Sequence, residues 1–145
     1  MSQTHAPDPN QDQSGRFDIA EVAASFPPTA ESLLLDHYLA DRPSASARVF
    51  RVYRATPAHH HNNSDEFLYV FSGRGTFWIG DPSATAEFGP GQLLHFNRGV
   101  VHALPSILEE PVVFLAIDTP RRDPTDIIFE DPTAGTPEGF IRPRG

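Results

Sequence analysis

Three residues near the middle of the chain have the spacing that metal ligands need. His59 and His61 are separated by one residue, so in a β-strand both side chains project to the same face. A polar turn over residues 62–65 follows, and the next strand opens with Glu66, whose carboxylate can lie beside the two imidazoles. Two imidazoles and one carboxylate on one face of an ion suit redox-active and Lewis-acid metals. The segment therefore predicts a metal site, with His102 available as a fourth ligand.

The residue types that are missing narrow the chemistry. The 145 residues include no Cys, so disulfides, thiolate nucleophiles and sulfur-ligated metals are excluded. All eleven basic residues are Arg, so a Schiff base on a lysine amine is excluded as well. Any difficult chemistry therefore depends on His, carboxylates, Tyr and a metal.

Proline and glycine are frequent enough to limit the fold class. Fifteen Pro and ten Gly among 145 residues interrupt the chain too often for long helices and favour short strands. The length corresponds to one domain with a substantial core. The clearest strand, residues 47–55, alternates so that Arg48, Phe50 and Val52 share one face. We therefore predict an all-β domain.

The composition divides the chain into three parts. Residues 1–15 are polar and rich in Gln, Asp and Pro, and we expect a disordered N-terminal extension. The folded domain spans residues 16–120. Residues 121–145 form a Pro-rich C-terminal tail, which we expect to pack on the domain because residues 127–129 are too apolar to lie wholly in water.

Turn residues and periodicity give local assignments. Residues 73–75 are Gly-Arg-Gly and predict a tight turn, followed by a returning hairpin strand over residues 76–80. Residues 17–26 fit either a strand or one or two helical turns, and residues 32–40 fit either a strand or a short helix. Residues 111–118 form the last clear strand of the chain.

The strand after the histidine cluster has two different faces. Alternation places Leu68 and Val70 on the metal side. The opposite face carries an apolar set that continues into the next strand: Phe67, Tyr69, Phe71, Phe77 and Ile79. Such a patch usually marks an interface, so we expect a homodimer. The alternative is that residues 17–40 fold back and cover these side chains.

The order and spacing of these residues resemble a known family. The first motif of the cupin family is similar to the pattern His59-x-His61-x4-Glu66-x6-Gly73. The second cupin motif resembles residues 91–106, which contain two glycines and His102 in the family's order. Here Asn97 stands in place of a Pro and Ser106 in place of an Asn, and neither position is a ligand.

This resemblance implies a fold and a cofactor. It implies a small single-domain cupin, with a jelly-roll barrel (double-stranded β-helix) that holds a metal in its lumen. The implied ligands are His59, His61, Glu66 and His102. Three imidazoles and a carboxylate suit one divalent transition metal per chain, Fe(II), Mn(II), Ni(II), Co(II) or Zn(II), and disfavour Ca(II).

Other side chains are candidates for catalytic roles. Tyr53 and Arg51 can line a pocket mouth and orient an anionic substrate. His95 is either an acid–base group beside the metal or a structural residue. His60 projects away from the two neighbouring histidines, and we expect it to be packed or solvated.

Three functions fit these features. The first is a metal-dependent enzyme acting on a small oxygenated or anionic metabolite, most specifically a dioxygenase, because cupins of this build resemble such enzymes. The second is a redox-neutral isomerase, cyclase or lyase that uses the metal to polarise a carbonyl. The third is a non-catalytic module that binds a small molecule. Fold membership does not decide among them.

Charge and hydropathy restrict the partners. The net charge of −8 argues against a nucleic-acid or anionic-membrane surface. The sequence contains no apolar run long enough to span a membrane, and its polar N-terminus does not resemble a secretory signal. We therefore expect a cytoplasmic protein with a small-molecule substrate.

Overall fold

The computed structural model describes residues 14–143, with side chains as far as Phe140. This part of the chain contains two short helices, α1 (Ile19–Ala24) and α2 (Pro137–Phe140), and a 3-10 turn at Pro82–Ala84. Its nine strands are β1 (Leu34–Arg42), β2 (Ala45–Val52), β3 (Thr56–His60), β4 (Asp65–Ile79), β5 (Ala86–Phe88), β6 (Leu93–Phe96), β7 (His102–Thr119), β8 (Ile128–Phe129) and β9 (Ile141–Pro143). The predicted disorder of residues 1–15 falls almost wholly outside the described residues.

Two long antiparallel strands organise the sheet. β4 and β7 pair along nearly their whole lengths, from Asp65 opposite Thr119 to Ile79 opposite His102. The other edge of β7 pairs first with β3 and then with β2, which continues through β1 to β9. The other edge of β4 pairs with β6 and then with β5. The result is an antiparallel double-stranded β-helix, which confirms the predicted all-β jelly-roll class.

The core lies inside the barrel and follows the strand alternation. Leu68 and Val70 are buried in the lumen, whereas Tyr69 between them is 42% exposed. The main buried cluster also draws residues from β1, β2, β5, β6, β7 and the C-terminal segment: Leu34, Phe50, Val52, Phe88, Leu94, Phe96, Leu104, Val112, Phe114, Ala116, Ile127 and Phe140. Residues 32–40, which fit either a strand or a helix, largely form β1.

A second, smaller cluster lies on the outer face of the sheet. Residues 17–26 contain α1, and Asp18 caps this helix by accepting a hydrogen bond from the backbone N–H of Glu21. This helix packs against a buried cluster that includes Val49 and Val113, and Phe71 packs against the same cluster. One of the aromatic residues that the sequence placed on an open face is therefore half-buried in this outer cluster.

The prediction of a tight turn at residues 73–75 with a returning strand after it is wrong. β4 continues through this segment, and the register with β7 shifts several times between Val70 and Trp78, as in β-bulges. Gly73 has a φ of 84°, and a Cβ there would lie 2.5 Å from the carbonyl oxygen of Pro111. The glycine is therefore required by the close approach of β7 to a bent strand, and no chain reversal occurs.

The C-terminal segment forms part of the sheet. β8 pairs with β3, and β9 pairs in parallel with β1. Ile127 and Phe140 are buried, Phe129 is half-buried and Ile128 is 40% exposed. The strand predicted at residues 111–118 is the second half of the much longer β7.

No helix in residues 14–143 is long and apolar enough to cross a membrane.

Candidate metal centre

The four predicted ligands come from three adjoining strands. His59 on β3 lies opposite His102, the first residue of β7. His61 follows β3 directly, and Glu66 is the second residue of β4. All four side chains are buried, with 3–5% of their surface exposed. The strand pairing therefore brings together residues that are up to 43 positions apart in sequence.

The three histidines converge on one point. Their ring centroids are 4.4 Å (His59 and His102), 5.1 Å (His59 and His61) and 5.4 Å (His61 and His102) apart. One nitrogen from each ring lies within 4.8 Å of the other two. Glu66 joins them, since its Oε1 is 3.5 Å from His61 Nε2 and 3.7 Å from His102 Nε2.

Each imidazole is held in the orientation that a metal ligand needs. Nδ1 of His59, His61 and His102 lies 2.8, 2.7 and 3.0 Å from the carbonyl oxygens of Pro57, Asp126 and Val100, respectively. A proton on Nδ1 donates these hydrogen bonds and leaves the lone pair on Nε2. Nε2 of His102 is buried and has no hydrogen-bond partner among the described residues. The ring of Phe96 stacks on His102 at 3.8 Å and fixes its plane.

The electrostatics favour the metal-binding forms of His59 and Glu66. Burial holds the pKa of His59 well below its usual value, and the neighbouring His102 and His61 rings add to this effect. Burial acts to raise the pKa of Glu66, but the imidazoles of His102 and His61 beside Oε1 outweigh it, and the pKa is well below the usual value. The site therefore offers a neutral imidazole at His59 and an ionised carboxylate at Glu66, which suits a divalent transition metal.

A buried arginine supports the carboxylate from behind. Arg48 is 1% exposed, and its Nη2 donates to Oε2 of Glu66 at 3.2 Å. Its Nε donates to Asp118 at 3.0 Å and its Nη1 to Asp36 at 3.3 Å. One Glu66 oxygen thus faces the histidines and the other is held by Arg48, which orients the carboxylate for a single contact with an ion.

Asp126 connects the C-terminal segment to the ligand turn. Its carboxylate accepts hydrogen bonds from the backbone N–H groups of Asn62 and Asn63, both at 2.9 Å. Its backbone carbonyl faces Nδ1 of His61. The turn between the two ligand strands is therefore positioned by a residue 60 or more positions further along the chain.

The cluster opens into a small cavity. Its walls are the four ligand side chains, two arginines, one threonine and an apolar set: Arg48, Arg122, Thr56, Leu34, Phe50, Val52, Leu68, Phe96, Leu104 and Phe140. The cavity volume of about 30 Å³ accommodates an ion with one or two waters.

The three catalytic candidates lie outside this cavity. His95 contacts the backbone carbonyl of Glu66 and the side chain of Asn97, and it stacks on Phe67 on the outer face. The Tyr53 hydroxyl donates to the carbonyl of Pro27, and Arg51 donates to the carbonyls of residues 27 and 28. Alternation explains this result, since all three residues belong to the faces opposite the lumen. His60 also points away, 3.9 Å from Glu130.

Sequence reasoning overlooked the buried charges behind the ligands. A buried ion pair at Arg48 could have been predicted, because Arg48 shares a strand face with Phe50 and Val52. A charge on an apolar face requires a buried partner. Asp118, Arg122 and Asp126 carried no comparable signal.

The fold and the site together define the class of protein. It is a double-stranded β-helix with three histidines and a glutamate in its lumen. Residues 50–118 match the family model for the cupin domain, and they form a small cupin domain.

Solved structures show the same fold at low sequence identity. A protein with a double-stranded β-helix domain from Klebsiella pneumoniae is 16% identical, with a TM-score of 0.65 over 82% of this chain and 100% of that chain. A putative mannose-6-phosphate isomerase from Ralstonia eutropha is 19% identical, with a TM-score of 0.62 over 73% and 98%. KdgF from Halomonas sp. is 20% identical, with a TM-score of 0.56 over 63% and 82%. Comparison with curated protein sequences gives no match.

Proposed function

We propose that this cupin is a metal-dependent enzyme acting on a small molecule, and specifically a dioxygenase. The observation that carries the proposal is the composition of the cavity wall. Apart from the four ligands, the polar wall residues among those described are Arg48, Arg122 and Thr56. None of these three side chains exchanges a proton near neutral pH.

A cavity wall without a proton-exchanging side chain fits an oxygenase better than a redox-neutral enzyme. A redox-neutral isomerase or lyase moves protons on its substrate and needs a side chain poised to accept or donate them. An oxygenase has no such requirement, and the apolar wall suits dioxygen. When bound, Fe(II) would activate dioxygen for oxidation of the substrate, which supplies the electrons, and His59, His61, Glu66 and His102 are the residues that would hold the ion.

The chain's own residues contribute three things to this reaction. The carbonyl partners of the Nδ1 atoms keep the imidazoles aimed inward, and the hydrogen bond from Arg48 orients the Glu66 carboxylate. The apolar wall excludes water from the reacting groups. The substrate must displace part of this wall, because the cavity volume of about 30 Å³ is too small for an organic molecule.

Oxygen consumption tests the proposal. We expect Fe(II)-loaded protein to consume dioxygen with at least one member of a panel of catechols, diketones, thiols and small 2-hydroxy and 2-oxo acids. His61→Ala should abolish both iron binding and consumption. His60→Ala is the matched control, because the adjacent ring points away from the cluster and should leave both unchanged. Substrate conversion without oxygen consumption would instead establish the redox-neutral alternative, and tight binding without conversion would establish a binding module.

A further inference from the structure

We propose that Arg122 is a substrate-anchoring residue and that the substrate is a small monocarboxylate bearing an oxygen next to its carboxyl group. The inference deepens the proposed function, since it concerns the same metal cavity. Arg122 lies just beyond β7, outside both ligand motifs, yet its side chain is 3% exposed and forms part of the cavity wall.

The guanidinium of Arg122 is not satisfied by the protein. Its Nε and Nη1 are buried and have no hydrogen-bond partner in residues 14–143. The nearest carboxylate oxygen in an ion pair is Oδ1 of Asp118, 3.7 Å from Nε, which is beyond hydrogen-bond distance. The other oxygen of Asp118 already accepts from Arg48. Burying guanidinium donors without a hydrogen bond is costly even beside the Asp118 ion pair, so Nε and Nη1 are expected to have a further partner.

Two further unsatisfied atoms belong to the same cavity. Thr56 Oγ1 and His102 Nε2 are buried without a hydrogen-bond partner among the described residues, and both side chains belong to the wall that contains Arg122. The predicted metal accounts for His102 Nε2, and the remaining guanidinium and hydroxyl match a ligand that has a carboxylate and a second oxygen.

The charge balance favours a single negative charge on the ligand. The ion-paired network contains two arginines, Arg48 and Arg122, and three carboxylates, Asp36, Glu66 and Asp118. If all are ionised, their charges sum to one negative charge, which a divalent ion converts to one positive charge. Asp126 directs its carboxylate to backbone amides of the ligand turn instead. A monoanion neutralises the remaining charge, and the planar fork of Arg122 suits a carboxylate.

Phe140 marks the side on which such a ligand enters. Its ring is shared between the cavity wall and an outer groove lined by Leu33, Pro57 and Phe129. A ligand the size of lactate needs more room than the cavity has, and rotation of this ring towards the groove would provide it.

Ligand binding to the Co(II)-loaded full chain, without dioxygen, tests the inference. The probes are lactate and pyruvate, each compared with its neutral amide, and the readouts are the visible absorption of Co(II) and calorimetry. We expect the acids to bind the wild type at least tenfold more tightly than the amides.

Arg122→Gln should weaken acid binding about tenfold to a hundredfold and remove the preference for acid over amide, while Co(II) affinity stays within a few-fold. Arg122→Lys should recover part of the affinity. Arg74→Gln, which removes an exposed charge, is the control and should change nothing.

Equal binding of acid and amide to the wild type would overturn the inference without any variant, so a misfolded Arg122→Gln protein would not leave it untested. Unchanged acid affinity in a folded Arg122→Gln protein would also overturn it and would assign Arg122 to a structural pair with Asp118. Because these measurements use no dioxygen, their failure is distinguishable from failure of the dioxygenase proposal.

Discussion

At the scale of single residues, Glu66 has two roles because its two oxygens face different groups. Oε1 faces His61 and His102, and Oε2 accepts a hydrogen bond from the buried Arg48. An amide in its place keeps an oxygen for one of these contacts but has no charge. Loss of the charge should therefore weaken metal binding more than it weakens the hydrogen bond from Arg48.

We expect Glu66→Gln to lower the affinity for a divalent transition metal at least tenfold, because loss of a direct ligand should cost no less than loss of an outer hydrogen-bond partner. The stability of the metal-free protein should change much less, since the amide oxygen can still accept from Arg48. Metal titration and thermal unfolding measure the two effects. Glu87→Gln, at an exposed position, is the control. Unchanged metal affinity in Glu66→Gln would show that the carboxylate is not a ligand.

The burial of Asp36 makes the stability of the protein depend on pH. Burial raises its pKa above the ordinary value of 3.8, although the charge of Arg48 opposes this. The folded state therefore retains the proton to a higher pH than the unfolded state. The contribution of Asp36 to the free energy of unfolding therefore falls as the pH rises from about 3.8 through the folded-state pKa.

Asp36→Asn removes this titration. We expect the free energy of unfolding of the metal-free wild type to fall relative to that of Asp36→Asn as the pH rises through this window. Denaturant unfolding at a series of pH values measures the difference. Asp131→Asn is a control of opposite sign, because hydrogen bonds from Thr133 lower the pKa of the exposed Asp131. A difference between wild type and Asp36→Asn that did not vary with pH would contradict the argument.

At the scale of elements, the C-terminal segment completes the metal cavity. α2 carries Phe140, whose ring lies 5.0 Å from that of His59, and β8 pairs with β3 beside the same histidine. Asp126 and Arg122 belong to this segment as well. Its removal would therefore expose the lumen from the side on which His59 lies.

Phe140→Ala tests this role with a single change. We expect a loss of about 3 kcal/mol of stability, typical of a buried Phe replaced by Ala, together with faster metal release to a chelator. Denaturant unfolding and chelator kinetics measure the two effects. Phe17→Ala, at a position that is 44% exposed, should affect neither. Unchanged release kinetics would mean that the ring does not close the cavity.

At the scale of the whole molecule, part of the predicted apolar face remains open. Tyr69 and Leu93 are cross-strand partners on β4 and β6 and are 42% and 60% exposed. Phe71 packs against the outer cluster, and the bulges of β4 turn Phe77 towards the core, where it packs near Phe88. We propose that the remaining patch is the contact of a homodimer.

Light scattering at micromolar concentration should find a species of twice the chain mass of 16.0 kDa. Tyr69→Glu should dissociate it by placing an unpaired charge in an apolar contact, and metal affinity should survive because this side chain points away from the lumen. Leu108→Glu, at a position that is 49% exposed elsewhere on the surface, should leave the dimer intact. A persistent 16.0 kDa species in the wild type would rule out the proposal.

The sequence by itself determined the features that depend on neighbouring residues. Strand alternation is local, so it placed His59 with His61, and Leu68 with Val70, on the lumen side. The ordered spacing of the ligands and glycines predicted the cupin barrel for the same reason, because that order follows the strands that carry them.

Only the tertiary structure decided the features that depend on distant strands. Arg48 meets Glu66 and Asp118 across 18 and 70 residues, and Asp126 reaches His61 across 65. The path of β4 through Gly73 depends on the backbone of β7 lying against it, so two glycines that locally predict a turn are part of a bent strand. Such contacts form only in the folded chain. The local periodicity of the sequence does not predict which distant charged group or backbone segment will be the partner.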